Sequence, residues 1–256
     1  MILVTNDDGA DARGLKALIE VVRSLGIVYV VVPEESQSGM SHAISVKKPI
    51  RVRYRAEVSG NDYYCYTVTG TPVDCVKLAL NKLLPRKPDL IVSGINHGSN
   101  ASVNLIYSGT MAAAIEGAVN SIRSIGISLS DYNPDADFSA AAVVSEKIIK
   151  QVLANGYQPD LCLNVNIPAV TGDRLKGVRV CRQTKGYWSE EFEESVDEEG
   201  HRVYFLTGTY NNMESGARDT DEWALQNNYV AVVPVEIDHT RYDDVDILKD
   251  LNFDKI

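Results

Sequence analysis

The first nine residues constrain the fold most. Met1-Ile2-Leu3-Val4-Thr5 is a short, continuous, branched apolar run, and it stops at Asn6-Asp7-Asp8-Gly9. A strand buried on both faces of a parallel sheet has that pattern. Two adjacent carboxylates at its carboxyl end are costly to bury without a partner. Each also raises the pKa of the other unless a cation lies between them. Gly9 gives the backbone freedom to turn sharply out of the sheet. Open α/β sheets bind ligands beyond the carboxyl ends of their strands, so Asp7 and Asp8 are candidate ligands of a divalent cation. The same pair also suits the start of the next helix, where carboxylates meet free N–H groups and the positive dipole end. This stretch alone leaves both readings open.

The rest of the chain repeats strand then helix. Leu15, Leu18, Ile19, Val22 and Leu25 recur at helical spacing, with Gly26 closing that helix. Val28 to Val32 form the next strand, which completes a βαβ unit with a right-handed crossover. Further strands are predicted after Pro88, over Ile125–Leu129 and over Leu161–Ile167. Helices are predicted from Pro72 to Leu83, from Met111 and from Phe138 to Leu153. Val52, Tyr54 and Tyr63–Val68 have the composition of antiparallel or edge strands. The recurrence predicts an α/β fold, a doubly wound and mostly parallel sheet flanked by helices.

Three more polar loops follow predicted strands or open predicted helices. Glu34 to His42 is small and polar, the composition of an ordinary connector, yet it lies where it could face Asp7 and Asp8. Asn96-His97-Gly98-Ser99-Asn100 ends the third parallel strand. Ser108-Gly109-Thr110 opens the helix from Met111, offering hydroxyls, free N–H groups and a positive dipole end. That is a ready anion site, and also plain N-capping by Ser108 or Thr110.

Beyond about residue 180 the character changes. Glu190 to Glu199 holds seven acids in ten positions, and Val203–Leu206 is strand-like after a Glu199-Gly200 turn signal. This predicts a protruding hairpin whose acids are solvated. A lone hairpin cannot bury its own faces, so packing on a second subunit is the natural remedy. Asp219-Thr220-Asp221-Glu222 predicts a helix start with Glu222 in a capping box. Val230–Val235 is a last strand, and Asp243 to Phe253 a polar amphipathic helix.

Composition narrows the partners. A net charge of -10 over 256 residues argues against a nucleic-acid polymer, because no basic face offsets the acid. Small anions are not excluded, since a metal and backbone N–H groups can hold them. The four cysteines have no C-x-x-C spacing and predict reduced, buried thiols in a cytoplasmic protein. No signal peptide or membrane-spanning run is read.

Taken in order, these pieces resemble one family, the SurE-type survival proteins. The resemblance is carried by Val4-Thr5-Asn6-Asp7-Asp8-Gly9, Ser38-Gly39, Gly70-Thr71-Pro72-Val73-Asp74-Cys75 and Ser93 to Asn100. It continues through Tyr107-Ser108-Gly109-Thr110, Ala112-Ala113, Asn164-Val165-Asn166-Ile167-Pro168 and Thr220-Asp221. The resemblance implies a metal-dependent nucleoside 5'-monophosphate phosphatase, with family breadth toward 3'-monophosphates and polyphosphate. It implies one divalent ion per subunit, bound by Asp7, Asp8, Ser38 and Asn96. An oxygen-rich set suits Mg²⁺ or Mn²⁺ better than Zn²⁺. Gly39, Asn100, Ser108, Gly109 and Thr110 are implied around the phosphate, with Asp8, Asn100 and Ser108 catalytic. Asp8 has two roles open to it, general base or nucleophile. His42 and His97 flank the loops as candidate acids, although a loop histidine is more often a surface residue. The implied fold is Rossmann-like over 1–180, with hairpin and exchanged C-terminal segment over 181–256 forming homodimers or homotetramers.

Two rivals remain at this level. Zinc amidohydrolases that deacetylate amino sugars carry a histidine before the acidic pair, where this chain has Asn6. A nucleotide-binding regulatory module lacks support from any glycine-rich phosphate motif, and an acidic turn repels a bare pyrophosphate.

Overall fold

The computed structural model describes residues 1–251. The chain runs β1 (Ile2–Thr5), α1 (Arg13–Val22), β2 (Val28–Pro33), β3 (Val52–Tyr54) and β4 (Tyr63–Val68). Then come α2 (Pro72–Leu78), which widens into a π-type turn at Ala79–Leu83, and β5 (Leu90–His97). Next are α3 (Asn104–Tyr107), α4 (Gly109–Val119), β6 (Ser124–Ser130), α5 (Ser139–Ala154) and β7 (Cys162–Pro168). The last part holds β8 (Val178–Val180), β9 (Gly186–Ser189), β10 (Phe192–Val196), β11 (Arg202–Leu206) and β12 (Thr209–Asn212). It ends with α6 (Asp221–Gln226), β13 (Val230–Pro234) and α7 (Tyr242–Lys249).

Nine strands form one sheet in the order β3-β4-β2-β1-β5-β6-β7-β13-β8. The six from β4 to β7 are mutually parallel. Counted among themselves along the chain, they lie 3-2-1-4-5-6, the Rossmann order. The order reverses between β1 and β5, and there the crevice for a ligand opens at the carboxyl ends. The predicted doubly wound fold is therefore observed.

Alternation along β1 sorts its side chains into two layers. Ile2 and Val4 pack with Leu15 and Leu18 of α1 and Ile149 and Val152 of α5. Leu3 points to the other face, with Val76 of α2 and Ala113 of α4. All three β1 side chains are essentially inaccessible, so each contributes about 1.5–3 kcal/mol of burial. This two-sided packing fixes the register of β1, and with it the place where Asp7 and Asp8 emerge.

Some local expectations are corrected. Tyr63–Val68 is not antiparallel to the core: β4 pairs parallel with β2, and of these two strands only β3 runs antiparallel, at the edge. The helix before Gly26 ends at Val22, and Gly26 (φ +149°) belongs to the turn into β2. The cap of α6 is Thr220, whose hydroxyl accepts from Trp223 N–H. Glu222 is thus one position short of a capping box, and Asp219 pairs with Arg182 instead. A full capping box occurs at Thr71 and Asp74.

The hairpin forms as predicted, with β10 and β11 antiparallel. Phe192, Val196, Tyr204, Phe205 and Leu206 on it are exposed. Glu193 and Glu194 alternate onto opposite faces, so neither face is uniformly acidic. β13 returns into the main sheet between β7 and β8, so residues after 180 contribute to the central layer as well as to the hairpin. No residue of α7 is buried. The predicted extension of that helix to Phe253 lies outside the described residues. All four cysteines are buried and free. Among the described residues no helix is long and apolar enough to cross a membrane.

Candidate active site

The reversal of strand order sets the acidic turn after β1 beside the polar loop that ends β5. Asn6 closes the turn on itself: its Nδ2 donates to Gly9 O (2.8 Å), and Gly9 N donates to its Oδ1 (3.3 Å). Gly9 sits at φ +95°, a conformation costly for any other residue. Asn6 is therefore a structural residue of the turn, at the place where a zinc deacetylase would need a ligand.

Three other loops attach to this turn. Asp7 O accepts from Gln37 N at 2.7 Å, which anchors the Glu34–His42 loop beside the acids. Asp7 Oδ1 accepts from Thr110 Oγ1 at 2.5 Å, which joins the turn to the start of α4. Asp8 Oδ2 accepts from His97 N at 3.4 Å, which joins it to the end of β5. The approach of α4 is so close that a Cβ on Gly109 would lie 2.8 Å from Asp7 Cβ and 2.9 Å from its Oδ2. Only glycine fits there.

Burial, aided by the neighbouring Asp8 charge, pushes the Asp7 carboxyl up to about 6, even though the Thr110 hydroxyl opposes this. Burial also raises Asp8, against the His97 N–H. Neither carboxylate has a Lys, Arg or His within ion-pair distance among the described residues. Two neighbouring, uncompensated carboxylates are candidate donors for a cation. Asn96 adds a carbonyl: its Nδ2 is used on Gly98 O (2.8 Å), and its Oδ1 has no hydrogen-bond partner among the described residues. Ser38 is exposed, 3.0 Å from Ser36 Oγ, on the loop anchored through Gln37. Among the described residues no group of three or more His, Cys, Asp or Glu could hold a metal. Any cation here therefore depends on hydroxyl, amide and water oxygens beside the two acids, as suits Mg²⁺ or Mn²⁺.

Ser108 caps α4, its Oγ accepting from Met111 N at 3.0 Å. Its hydroxyl hydrogen and the Gly109 N–H remain for an anion at the dipole's positive end, whereas the Thr110 N–H bonds to Asp7. The Thr110 hydroxyl is committed to Asp7 rather than to such an anion. Gly39 is exposed at φ +74° on the neighbouring loop. His42 and His97 both have other partners. His42 Nε2 lies 3.2 Å from buried Glu116, which Lys77 also reaches at 2.7 Å. The His97 ring stands edge-on to Phe138, and it is the backbone of His97 that meets Asp8.

Asn100 sits in a network that the sequence did not disclose. Its backbone N–H donates to Asn166 Oδ1 (2.8 Å), Asn166 Nδ2 to Asn164 Oδ1 (2.8 Å), and Asn164 Nδ2 to Asn100 O (2.9 Å). Its own Nδ2 donates to Ser128 Oγ at 2.8 Å. All four residues are buried. The ring satisfies both backbone groups of Asn100 and fixes its side chain, leaving one Nδ2 hydrogen and Oδ1 without a partner among the described residues. Polar residues two apart in an apolar strand were the available signal, because i and i+2 share a face. Asp221 clamps the next residues from the other side, accepting Ser102 N (2.9 Å) and Thr184 Oγ1 (2.5 Å).

The fold and its crevice define a class: doubly wound α/β proteins with an acidic, cation-ready switch point facing the open start of a helix. Within that class the chain belongs to the SurE family. The family model described as "Survival protein SurE" matches residues 2–190. A "5'-nucleotidase SurE" of Flavobacterium johnsoniae is 48% identical over 244 residues, 94% of this chain and 93% of that one. One of Phocaeicola vulgatus is 46% identical over 254 residues, 99% of this chain and 97% of that one. The crystal structure of the SurE protein of Aquifex aeolicus is 36% identical and superposes with a TM-score of 0.83, covering 98% of both chains.

Proposed function

We propose that this chain hydrolyses nucleoside 5'-monophosphates to nucleoside and phosphate, using one Mg²⁺ or Mn²⁺ bound by Asp7, Asp8, Ser38 and Asn96. The observation that carries the proposal is an acidic pair without a counter-charge, buried at Asp7 and half-buried at Asp8, bonded through Asp7 to the start of α4. Membership of the SurE family and relatives named 5'-nucleotidase support the substrate class. When bound, a dication there polarises a phosphoryl oxygen and makes a water more acidic.

The protein's own groups do the rest. The Gly109 N–H, the Ser108 hydroxyl and the second Nδ2 hydrogen of Asn100 hold phosphoryl oxygens as charge builds. Gly39, at φ +74°, lets the Ser38 loop turn beside the acids. Asp8 takes the proton of the attacking water while the bond from phosphorus to the 5' oxygen breaks, and the leaving alkoxide is protonated from solvent. Direct attack by Asp8 would instead give an aspartyl-phosphate, which rapid quench would trap.

The same reading assigns residues 181–256 to assembly. Apolar side chains exposed on the hairpin and on α7 support a homodimer or homotetramer with exchanged C-terminal segments. A cytoplasmic setting accords with four buried free thiols.

The test is hydrolysis of AMP and of p-nitrophenyl phosphate with Mn²⁺, with Mg²⁺ and after exhaustive chelation. Activity is expected only with metal, and Asp8→Ala is expected to lower kcat on the order of 10²–10³-fold or more. Undiminished turnover after chelation, or in Asp8→Ala, would reject the proposal.

A further inference from the structure

We propose that a slot between α3 and the base of the β10–β11 hairpin receives the nucleobase of the substrate, with preference for a purine. This rests on the nucleotidase reading and extends it from the phosphate to the other end of the molecule.

The slot has a volume of about 450 Å³ and is lined by Asn104, Tyr107, Trp188, Glu191, Thr207 and neighbours. Its position is set by the phosphate-binding candidates. α3 begins four residues after Asn100 and ends at Tyr107, directly before Ser108. One short helix therefore forms the slot's wall and leads at both ends into groups proposed to hold phosphate. Tyr107 O also accepts from Ser41 N at 3.2 Å, which ties this wall to the loop of Ser38 and Gly39.

Two aromatic side chains give the slot its chemistry. The Trp188 indole is fixed: Nε1 donates to Asn104 Oδ1 at 2.9 Å, and Tyr210 packs tilted against it at 5.8 Å between centroids. Tyr107 is 53% exposed and stacks on no aromatic ring among the described residues. A fixed indole beside an unstacked phenol ring is a platform for a flat heterocycle, and one stacked base contributes about 1–3 kcal/mol. The polar groups suit a base as well. With Oδ1 of Asn104 engaged, its Nδ2 is left to donate to a ring nitrogen or carbonyl. The Glu191 carboxylate accepts from an amino or imino N–H. A purine, with the larger stacking face, gains more here than a pyrimidine.

The larger cleft, about 670 Å³, lies along α4 and β13 and has no Tyr, Trp or Phe in its lining. Its only aromatic or guanidinium groups are the His42 and His239 rings and Arg182, and His42 and Arg182 are already paired with carboxylates.

The experiment compares substrates with and without a base. For AMP and GMP, Trp188→Ala is expected to raise KM about tenfold, the size of one lost stack. Tyr107→Ala should act in the same direction. KM for ribose 5-phosphate should stay within twofold, and Trp188→Phe should restore most of the nucleotide affinity. An equal change for ribose 5-phosphate and nucleotides, or no change for either, would overturn the slot. If the wild-type enzyme hydrolyses neither AMP nor ribose 5-phosphate, the nucleotidase reading itself fails. The slot is then judged by titrating adenosine and guanosine against Trp188 fluorescence in a Trp223→Phe background. Saturable quenching supports the slot, and none overturns it.

Discussion

The rim around Asp7 and the β10–β11 hairpin solve opposite problems. At the rim, a network of buried amides holds the loops, while the Asp7–Asp8 pair has no counter-charge among the described residues. Asn100 alone is held by three residues from β6 and β7. On the hairpin, apolar groups are exposed and the ladder bonds serve only the hairpin itself. Buried polar networks fix one geometry, because any slip leaves a donor or acceptor unpaired. Exposed apolar ribbons leave a surface to be covered. The rim's geometry is therefore set within the chain, whereas the hairpin leaves an apolar surface open.

Three outcomes would break or sharpen that contrast. The largest concerns Asn166. Asn166→Ala removes the acceptor of Asn100 N and the donor to Asn164. We expect a loss of about 1–3 kcal/mol in a urea titration. We also expect kcat to fall on the order of 10²-fold through misplacement of Asn100. A variant with unchanged kcat would show the network to be structural only.

The second concerns Asp7 in the metal-free protein. Its folded pKa, about 6, lies above the ordinary value of 3.8, so the unfolded chain gives up this proton first. Stability is then lost as pH rises from about 4 through about 6. Asp7→Asn is expected to raise stability at pH 7 with chelator by on the order of 2–3 kcal/mol, while stabilisation by Mn²⁺ disappears. A lower urea midpoint than the wild type in chelator would contradict the assignment. Glu116 supplies the opposite sign. Burial pushes its carboxyl up, but the hydrogen bonds from His42, Lys77 and Asn120 prevail and hold it below its usual range. That contribution is present above the unfolded value and is lost as pH falls through the folded one.

The smallest effect on chemistry is expected from the hairpin. Val196→Ser with Tyr204→Ser removes apolar side chains from one face. Light scattering should show a smaller assembly, with turnover of p-nitrophenyl phosphate within about twofold, because surface changes far from a site cost little. A parallel loss of turnover would mean that assembly completes the rim.

Much of the rim was legible because its pieces are local. Asp7-Asp8-Gly9 and Ser108-Gly109-Thr110 each state their chemistry within three residues. The doubly wound sheet was legible from recurrence. What was hidden depends on distant partners. Nothing near Gly109 signals that Asp7 will lie 2.8 Å from where its Cβ would be. Asn164 and Asn166 were visible as a motif, but their role appears only when β7 lies beside β6 and the loop after β5. The direction of β4 was missed because it depends on the irregular stretch before it, where no periodic pattern fixes the path. The α6 cap was misplaced by one residue because Asp219 and Thr220 are both good caps, and Arg182 recruits the former.

β8 and β13 lie side by side in parallel, although some fifty residues separate them, and Arg182 bridges on to Thr220 just beyond. Everything from Gly186 to Asn212 thus leaves and re-enters through one narrow neck, which Arg182 cinches by pairing with Glu214 and Asp219. Such a cassette is free to drift in length and sequence while the reaction centre, owned by the sheet, stays constant. Five of the seven residues lining the base slot travel with that cassette, so taste for substrate can evolve separately from the power to cleave it.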